Sequence, residues 1–363
     1  MSSEEYKLDW VKVQLTRTCN LKCSFCSQAD FRDNSVVNVD EFINNVLDIA
    51  KPRLLIFTGG EPITKYQELE RLLIYCKNNK IETGIFTNAT LIDDEIANNM
   101  KQLSVDWIRT SINGHTKEIH ELSYPEGSFD KLINGIKSLQ KAGIYVKLRT
   151  TVTVNNQNYI EDLIKFVIEL GIKELDFRPY LELGDCNPHL NNALNKDEII
   201  KACSRLILYK SKYKDVIDIK LLPNWFDFLY NDVLDKENNY EPEKCHCGRQ
   251  YIYIDATGNY RACAGHRLIL GNIKDKKVDE IWTKCPFLLD VRNYEQDEYC
   301  KLCPKNKECH KSNCHLINYE ANNRFDKINP CCPIYISDKT NAENGYKIVL
   351  DEFKKYMEVS NAI

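Results

Sequence analysis

The segment Trp10–Cys26, WVKVQLTRTCNLKCSFC, joins a strand-like run to three cysteines at C-x3-C-x2-C spacing. WVKVQLT is short and rich in β-branched and aromatic residues, as a strand is. Five further runs share that character: RLLIFTG, ETGIFTN, WIRTSIN, YVKLRTTVTV and ELDFRPYLE, several of them ended by Gly or Asn. Helical patterns lie between them, namely VDEFINNVLDIA, YQELERLLIYCKNN, DDEIANNMKQL, SFDKLINGIKSLQKAG and IEDLIKFVIELG; Asn38 and Glu41 resemble a capping pair at the first. Six such alternations imply an α/β chain with a parallel sheet. A doubly wound sheet and a partial barrel both fit, and in both the chemistry belongs at the C-terminal ends of the strands. The cysteine trio falls there, directly behind strand one.

Composition narrows the possibilities. At 363 residues the chain can bury a large core, and 43% hydrophobic with 28% charged residues describes an ordinary globular protein. No apolar run reaches the roughly 18 residues of a membrane span, and MSSEEYKLDW lacks the layout of a secretory signal, so a cytoplasmic location is expected. A net charge of −4 gives no general affinity for nucleic acid. The anomaly is 16 cysteines: three at 19–26, then Cys76, Cys186 and Cys203, then ten from Cys245 to Cys332. In a reducing compartment such clusters more often hold metal than disulfides. The polar stretch LDKENNYEPEK places a boundary near residue 235, predicting a core over 1–235, a cysteine-rich domain over 236–340 and a helical tail over 341–363.

Cys19, Cys23 and Cys26 are one thiol short of a structural zinc site, which takes four ligands. A [4Fe–4S] cluster on three thiolates keeps one iron open. That iron can chelate the amino and carboxylate groups of S-adenosylmethionine, and an electron from the cluster then releases a 5′-deoxyadenosyl radical. Phe25 sits where it can pack on adenine, or serve as plain core.

These features resemble the radical SAM superfamily over about residues 9–190, with FTGGEP after the second strand similar to its second motif. The resemblance implies that backbone groups at Gly59 and Gly60 and the carboxylate of Glu61 hold the methionine ammonium, the glycines permitting close backbone approach and Pro62 fixing the turn. It also implies cofactor contacts from Asn88 in FTNAT and from Ser111 and Asn113 in TSING, where Asn113 replaces the usual Asp. Arg149 on the fifth strand fits the methionine carboxylate; its plainer reading is a salt-bridge partner. The implied architecture is a partial (β/α)6 TIM-like barrel followed by a small cysteine-rich domain.

The second cysteine block reads C-x10-G-x4-C from Cys247 to Cys263 and C-x2-C-x5-C-x4-C from Cys300 to Cys314, and resembles the SPASM extension over about 240–335. The resemblance implies one auxiliary [4Fe–4S] cluster on Cys245, Cys247, Cys263 and Cys314. A second would use Cys300, Cys303, Cys309 and one of Cys331 and Cys332, with Cys332 preferred on spacing. The last gap has four residues against the usual three, which bears on Cys314. Zinc is the plainer reading of the C-x2-C pairs. With three clusters, Cys76 and Cys203 are left as small buried hydrophobes, and Cys186 and Cys285 as candidate thiol hydrogen donors. His246, His266, His310 and His315 crowd the same block, the commoner case being surface histidines.

Members of this kind oxidise or rearrange unactivated C–H bonds, so the resemblance implies oxidative crosslinking of a ribosomally made peptide, with electron transfer to the auxiliary clusters. The alternatives are a peptide epimerase that uses a thiol donor, a dehydrogenase or epimerase of aminocyclitol- or sugar-type molecules, and, most remotely, a non-catalytic iron–sulfur or zinc protein. A flavodoxin- or ferredoxin-type electron donor is implied. Strand one starts about nine residues in, so a separate leader-recognition protein is expected in place of a fused domain. Sulfatase-activating members carry an Asp base directly after the position of Cys263; Ala264 stands there and argues against that activity.

Overall fold

The computed structural model describes residues 6–26, 28, 32–180, 193–221, 229–233, 245–312, 314, 318–319, 322–329 and 332–361. They fall into two compact units. The first comprises Met1–Arg149, Glu182–Leu190 and His246–Arg292; the second comprises Thr150–Leu181, Asn191–Cys245 and Asn293–Ile363.

All six anticipated strands form: β1 (Trp10–Gln14), β2 (Leu54–Thr58), β3 (Glu82–Phe86), β4 (Trp107–Ser111), β5 (Tyr145–Val152) and β6 (Glu174–Pro179). In the first unit β1 to β5 stand side by side in sequence order, with parallel neighbours throughout. A doubly wound sheet would reverse its order at a switch point; this one does not, and the fold is α/β, a partial TIM-like barrel. The helices Tyr66–Asn79, Asp94–Gln102 and Ser128–Lys141 provide the returns between successive parallel strands. The first return helix is interrupted: Val39–Phe42 is α-helical, Ile43–Leu47 has π geometry, and Asp48–Ala50 is α-helical again. Asn38 caps it by accepting the Glu41 N–H at 3.2 Å.

The strands alternate in character. Val11, Val13, Leu55, Phe57, Ile85, Ile108, Val146 and Leu148 are buried on one face. On the other, in register, Phe86 adjoins Arg109, Arg109 adjoins Lys147 and Ser111 adjoins Arg149. Three of these strands thus present a polar and aromatic inner surface below the rim that carries the motifs.

The second cysteine block enters this unit in a way that its sequence does not disclose. β8 (Tyr251–Ile254) pairs in parallel with β1, and the antiparallel β9 (Asn259–Arg261) and β10 (Gly271–Asn272) extend the sheet beyond it.

In the second unit β6 pairs in parallel with β7 (Asp218–Leu221), and the helix Lys196–Lys212 opens with a full capping box between Asn195 and Glu198. It packs on the long helix Ala342–Asn361, where Lys196 and Glu352 pair at 3.3 Å. No helix among the described residues is long and apolar enough to cross a membrane.

Candidate functional site

The cysteine loop is fastened at its base and along its length to the ends of three other strands. Its two sides zip together through Arg17 N–H to Ser35 O at 3.0 Å and Val37 N–H to Leu15 O at 2.9 Å. The GGEP turn grips it from β2: Gly60 N–H donates to Thr16 O at 2.7 Å and Glu61 N–H to Thr18 O at 2.8 Å. A Cβ at Gly59 would lie 2.6 Å from Thr16 O, and one at Gly60 would lie 2.3 Å from Thr18 O. These glycines therefore admit the chain's own cysteine loop, a use the sequence does not separate from approach to a ligand. From β3, Asn88 Nδ2 donates to Asn20 Oδ1 and Asn20 Nδ2 to Thr90 Oγ1, both at 2.9 Å. From beyond β4, Ser123 O accepts the Ser24 N–H at 3.0 Å.

This anchorage brings the three thiols together. Burial raises the Cys19 thiol above its ordinary range. Burial also pushes Cys23 up to about 12, with the neighbouring Cys26 and Cys19 adding to the shift. Thiols this close disfavour one another's ionisation, and metal ions, which bind thiolates, reverse that preference. The trio fits a cluster that takes three protein ligands.

Glu61 is fully buried and N-caps the short 3-10 helix Pro62–Lys65, Pro62 holding its first position. Its Oε1 accepts Ile63 N–H at 3.1 Å and Thr87 Oγ1–H at 2.7 Å, while Oε2 accepts Asn88 N–H at 2.7 Å. Burial pushes the carboxyl up to about 7 against these bonds. A cation beside it would favour the ionised form.

The sequence reading missed Tyr124 and His120. Phe25 meets Tyr124 edge-on at 5.2 Å, and Tyr124 stacks on His120 at 4.2 Å and 11°. Burial raises the Tyr124 phenol, with Cys23, Cys26 and Cys19 contributing and a Ser111 hydrogen bond opposing. The phenol therefore lies beside the thiol trio. His120 is pushed down to about 4 by burial, and its Nδ1 accepts the Asn113 N–H at 3.2 Å. The signal available was the i, i+4 spacing of His120 and Tyr124 in HELSY, which is too common to carry a site.

Of the other expected contacts, Asn88 uses both ends of its carboxamide within the protein, since Oδ1 accepts Thr90 N–H at 2.9 Å and Thr90 Oγ1–H at 2.7 Å. Asn113 is fully buried. Arg149 lies with its guanidinium 5.2 Å from the Phe86 ring centre, and Ile112 N–H donates to its carbonyl at 2.9 Å.

In the same unit Cys247 is buried, its thiol donating to Ala262 O at 3.3 Å, and Cys263 Sγ accepts Gly265 N–H at 3.2 Å. Beside Ala264 a small polar pocket is lined by Arg17, Asp255, Arg261 and His266. Cys245 and Cys314 belong to the second unit.

The second unit holds a cavity that Cys300, Cys303, Cys309 and Cys332 all line. Burial pushes Cys300 up to about 12, with Cys332 the next largest cause. Among the described residues no three His, Cys, Asp or Glu side chains converge as a single metal ion requires. Four thiols lining one cavity suit a multi-metal cluster. Cys76 and Cys203 are buried, and Cys285 caps the helix Val278–Lys284. Cys186, Cys331 and His315 lie outside the described residues.

The family model for the radical SAM superfamily matches residues 13–167, and that for an iron–sulfur cluster-binding domain, SPASM, matches 245–304. An AdoMet-dependent heme synthase of Methanosarcina barkeri is 26% identical over 340 residues, 88% of this chain and 94% of its own. A cysteine-type anaerobic sulfatase-maturating enzyme of Clostridium perfringens is 26% identical over 360 residues, covering 87% and 91%. Among solved structures, anSMEcpe with bound AdoMet superposes with a TM-score of 0.73 at 21% identity, covering 97% of this chain and 99% of that one. SuiB of Streptococcus suis bound to its precursor peptide SuiA superposes at 0.72 with 17% identity, covering 90% and 76%. The chain belongs to the radical SAM superfamily, and its C-terminal cysteine block is a SPASM-type iron–sulfur cluster-binding domain.

Proposed function

We propose that this enzyme uses S-adenosylmethionine to remove hydrogen from an unactivated C–H bond of a peptide and completes the oxidation by passing the remaining electron to an auxiliary cluster. The observation that carries this reading is the four-cysteine cavity of the second unit, additional to the trio in the loop behind β1. When bound, the cofactor and the first cluster supply a hydrogen-abstracting radical.

The protein's own groups do the rest. Cys19, Cys23 and Cys26 hold the first cluster, and the GGEP turn and the Asn20–Asn88 pair keep their loop in place. Glu61 positions that turn and supplies a buried negative charge for the methionine ammonium. Phe25, Ser111, Asn113 and Arg149 complete the cofactor's surroundings, and Tyr124 is added to them. Cys300, Cys303, Cys309 and Cys332 hold one auxiliary cluster, and Cys247 and Cys263 of the first unit are thiols available to another. A net oxidation removes two electrons and two protons: the abstracted hydrogen carries one of each, an auxiliary cluster, when bound, would supply the acceptor for the second electron, and the second proton would pass to solvent. A redox-neutral reaction needs no such acceptor. A flavodoxin- or ferredoxin-type protein supplies the electron that starts each turnover.

The sulfatase-maturating enzyme and the precursor-peptide complex of SuiB support a peptide substrate. The heme synthase relative, matched over nearly its whole length, favours a second reading, a heme precursor as substrate. Anaerobic turnover in D2O, with 5′-deoxyadenosine followed alongside product mass, tests both. Release of 5′-deoxyadenosine with a peptide, and a peptide product two hydrogens lighter without deuterium, is the expected result. Turnover with an iron porphyrin alone would replace the substrate class. A peptide product of unchanged redox level carrying one deuterium, lost in Cys186→Ala, would replace oxidation by epimerisation.

A further inference from the structure

We propose that Lys305 and Asp232 form a buried charge pair that sets the reduction potential of the cluster in the second unit's cavity, Lys305 supplying the tuning charge and Asp232 fixing and tempering it. The inference rests on reading that cavity as a cluster site.

Lys305 follows Cys303 by two residues, and its carbonyl accepts the Cys309 N–H at 2.9 Å, so its backbone is held between two of the four cysteines. Only 8% of the residue is exposed. Its Nζ lies 2.7 Å from Asp232 Oδ1 and 2.5 Å from Oδ2. Asp232 comes from the separate helix Tyr230–Val233, and the Tyr346 hydroxyl also bonds to it. A lysine so far removed from water is costly unless paired, and replacing such a pair by apolar residues is often neutral or stabilising. Cohesion alone therefore does not account for it. The position beside the thiols does.

A [4Fe–4S] cluster on four thiolates is negative in both oxidation states and gains one more negative charge on reduction. Net charge, hydrogen bonding and solvent exposure set its potential. A fixed ammonium favours the reduced form, and the Asp232 carboxylate opposes it. Asp297 acts on Cys300 and Glu308 on Cys303 in the same sense as Asp232. Lys305 acts on Cys303 in the opposite sense; Lys327 lines the cavity but is exposed, where water and salt screen its charge. Among the described residues Lys305 is thus a buried cation beside these thiols, placed to favour arrival of an electron.

The test is a redox titration of the reconstituted holoenzyme, followed by the cluster's paramagnetic resonance and by iron content. Asp232→Asn is expected to favour reduction about tenfold, equivalent to about 59 mV for one electron. Lys305→Gln should oppose it by a similar factor, the double variant should lie near the parent, and Lys305→Arg should leave the potential in place. Shifts in the same direction, or below twofold in both, would overturn the inference while leaving the cluster reading intact. Should Lys305→Gln lose the cluster, Asp232→Asn and Lys305→Arg decide by the same criteria. Iron content unchanged in Cys300→Ala and Cys332→Ala would overturn the cluster reading and the inference together.

Discussion

Replacing Gly60 by alanine adds one methyl group at the joint between the GGEP turn and the cysteine loop. That methyl would stand 2.3 Å from Thr18 O, 2.6 Å from Arg17 O and 2.7 Å from Thr18 C, all backbone atoms that cannot rotate away. The loop must move, which stretches the bonds from Gly60 N–H to Thr16 O and from Glu61 N–H to Thr18 O. Two such bonds contribute about 1 kcal/mol each, and forcing a group into a packed space costs about 1–3 kcal/mol, so the loss is about 3–5 kcal/mol. Gly127→Ala is the control. Its φ of +76° disfavours a side chain by about 1–2 kcal/mol, but nothing lies within 4 Å of the new methyl. Urea unfolding of the iron-free chain measures the cost, and iron content with 5′-deoxyadenosine formation after anaerobic reconstitution measures the site. Gly60→Ala should unfold earlier than Gly127→Ala and lose the first cluster. Equal midpoints with full iron and full cleavage would refute the steric argument.

Changing Cys19, Cys23 and Cys26 together to alanine should abolish cleavage of S-adenosylmethionine and leave the iron of the C-terminal block, as read by iron analysis. For Glu61, the carboxyl is raised from 4.5 to about 7 in the fold, so its contribution to stability is complete below pH 4.5 and lost as pH rises through 7. The iron-free chain should therefore lose about 3 kcal/mol across that window, and Glu61→Gln should flatten the slope in urea titrations at successive pH values. Asp255 is 2% exposed and pairs with Arg261 at 3.0 Å and with Arg17 of the cysteine loop at 3.8 Å; Arg17 also pairs with Asp33 at 3.1 Å, so Asp255→Asn removes the carboxylate chiefly from the half-buried Arg261 and should cost about 1–3 kcal/mol, measured by urea midpoint.

Much of the first site is legible in the chain because its motifs are local. C-x3-C-x2-C and GGEP each depend on residues a few positions apart at a strand end, and strand ends can be read from β-branched runs and their glycines. The role of the glycines was less legible. Their neighbours are Thr16, Arg17 and Thr18, more than forty residues away, and only the parallel pairing of β1 with β2 brings them together. Asn88 is similar: FTNAT marks a strand end, but the bond to Asn20 exists because β3 and the cysteine loop share a rim.

Alternation of strand and helix, the order of the cysteines and the residue types at each strand end are properties of the sequence, set by local propensity and by ligand chemistry. Tertiary structure decided the rest. Whether the sheet reverses is settled by which strands pair, a long-range choice that no single period records. Part of the second cysteine block extends the first unit's sheet because β8 has an open edge of β1 to bond to. Cys332 lines the second unit's cavity only because the chain returns there from Asn329 and the helix Pro333–Ser337 starts beside it. Lys305 becomes a buried cation because Asp232, 73 positions earlier, is folded against it. A charge is affordable in the interior only when its partner arrives, and the partner's arrival is a property of the fold.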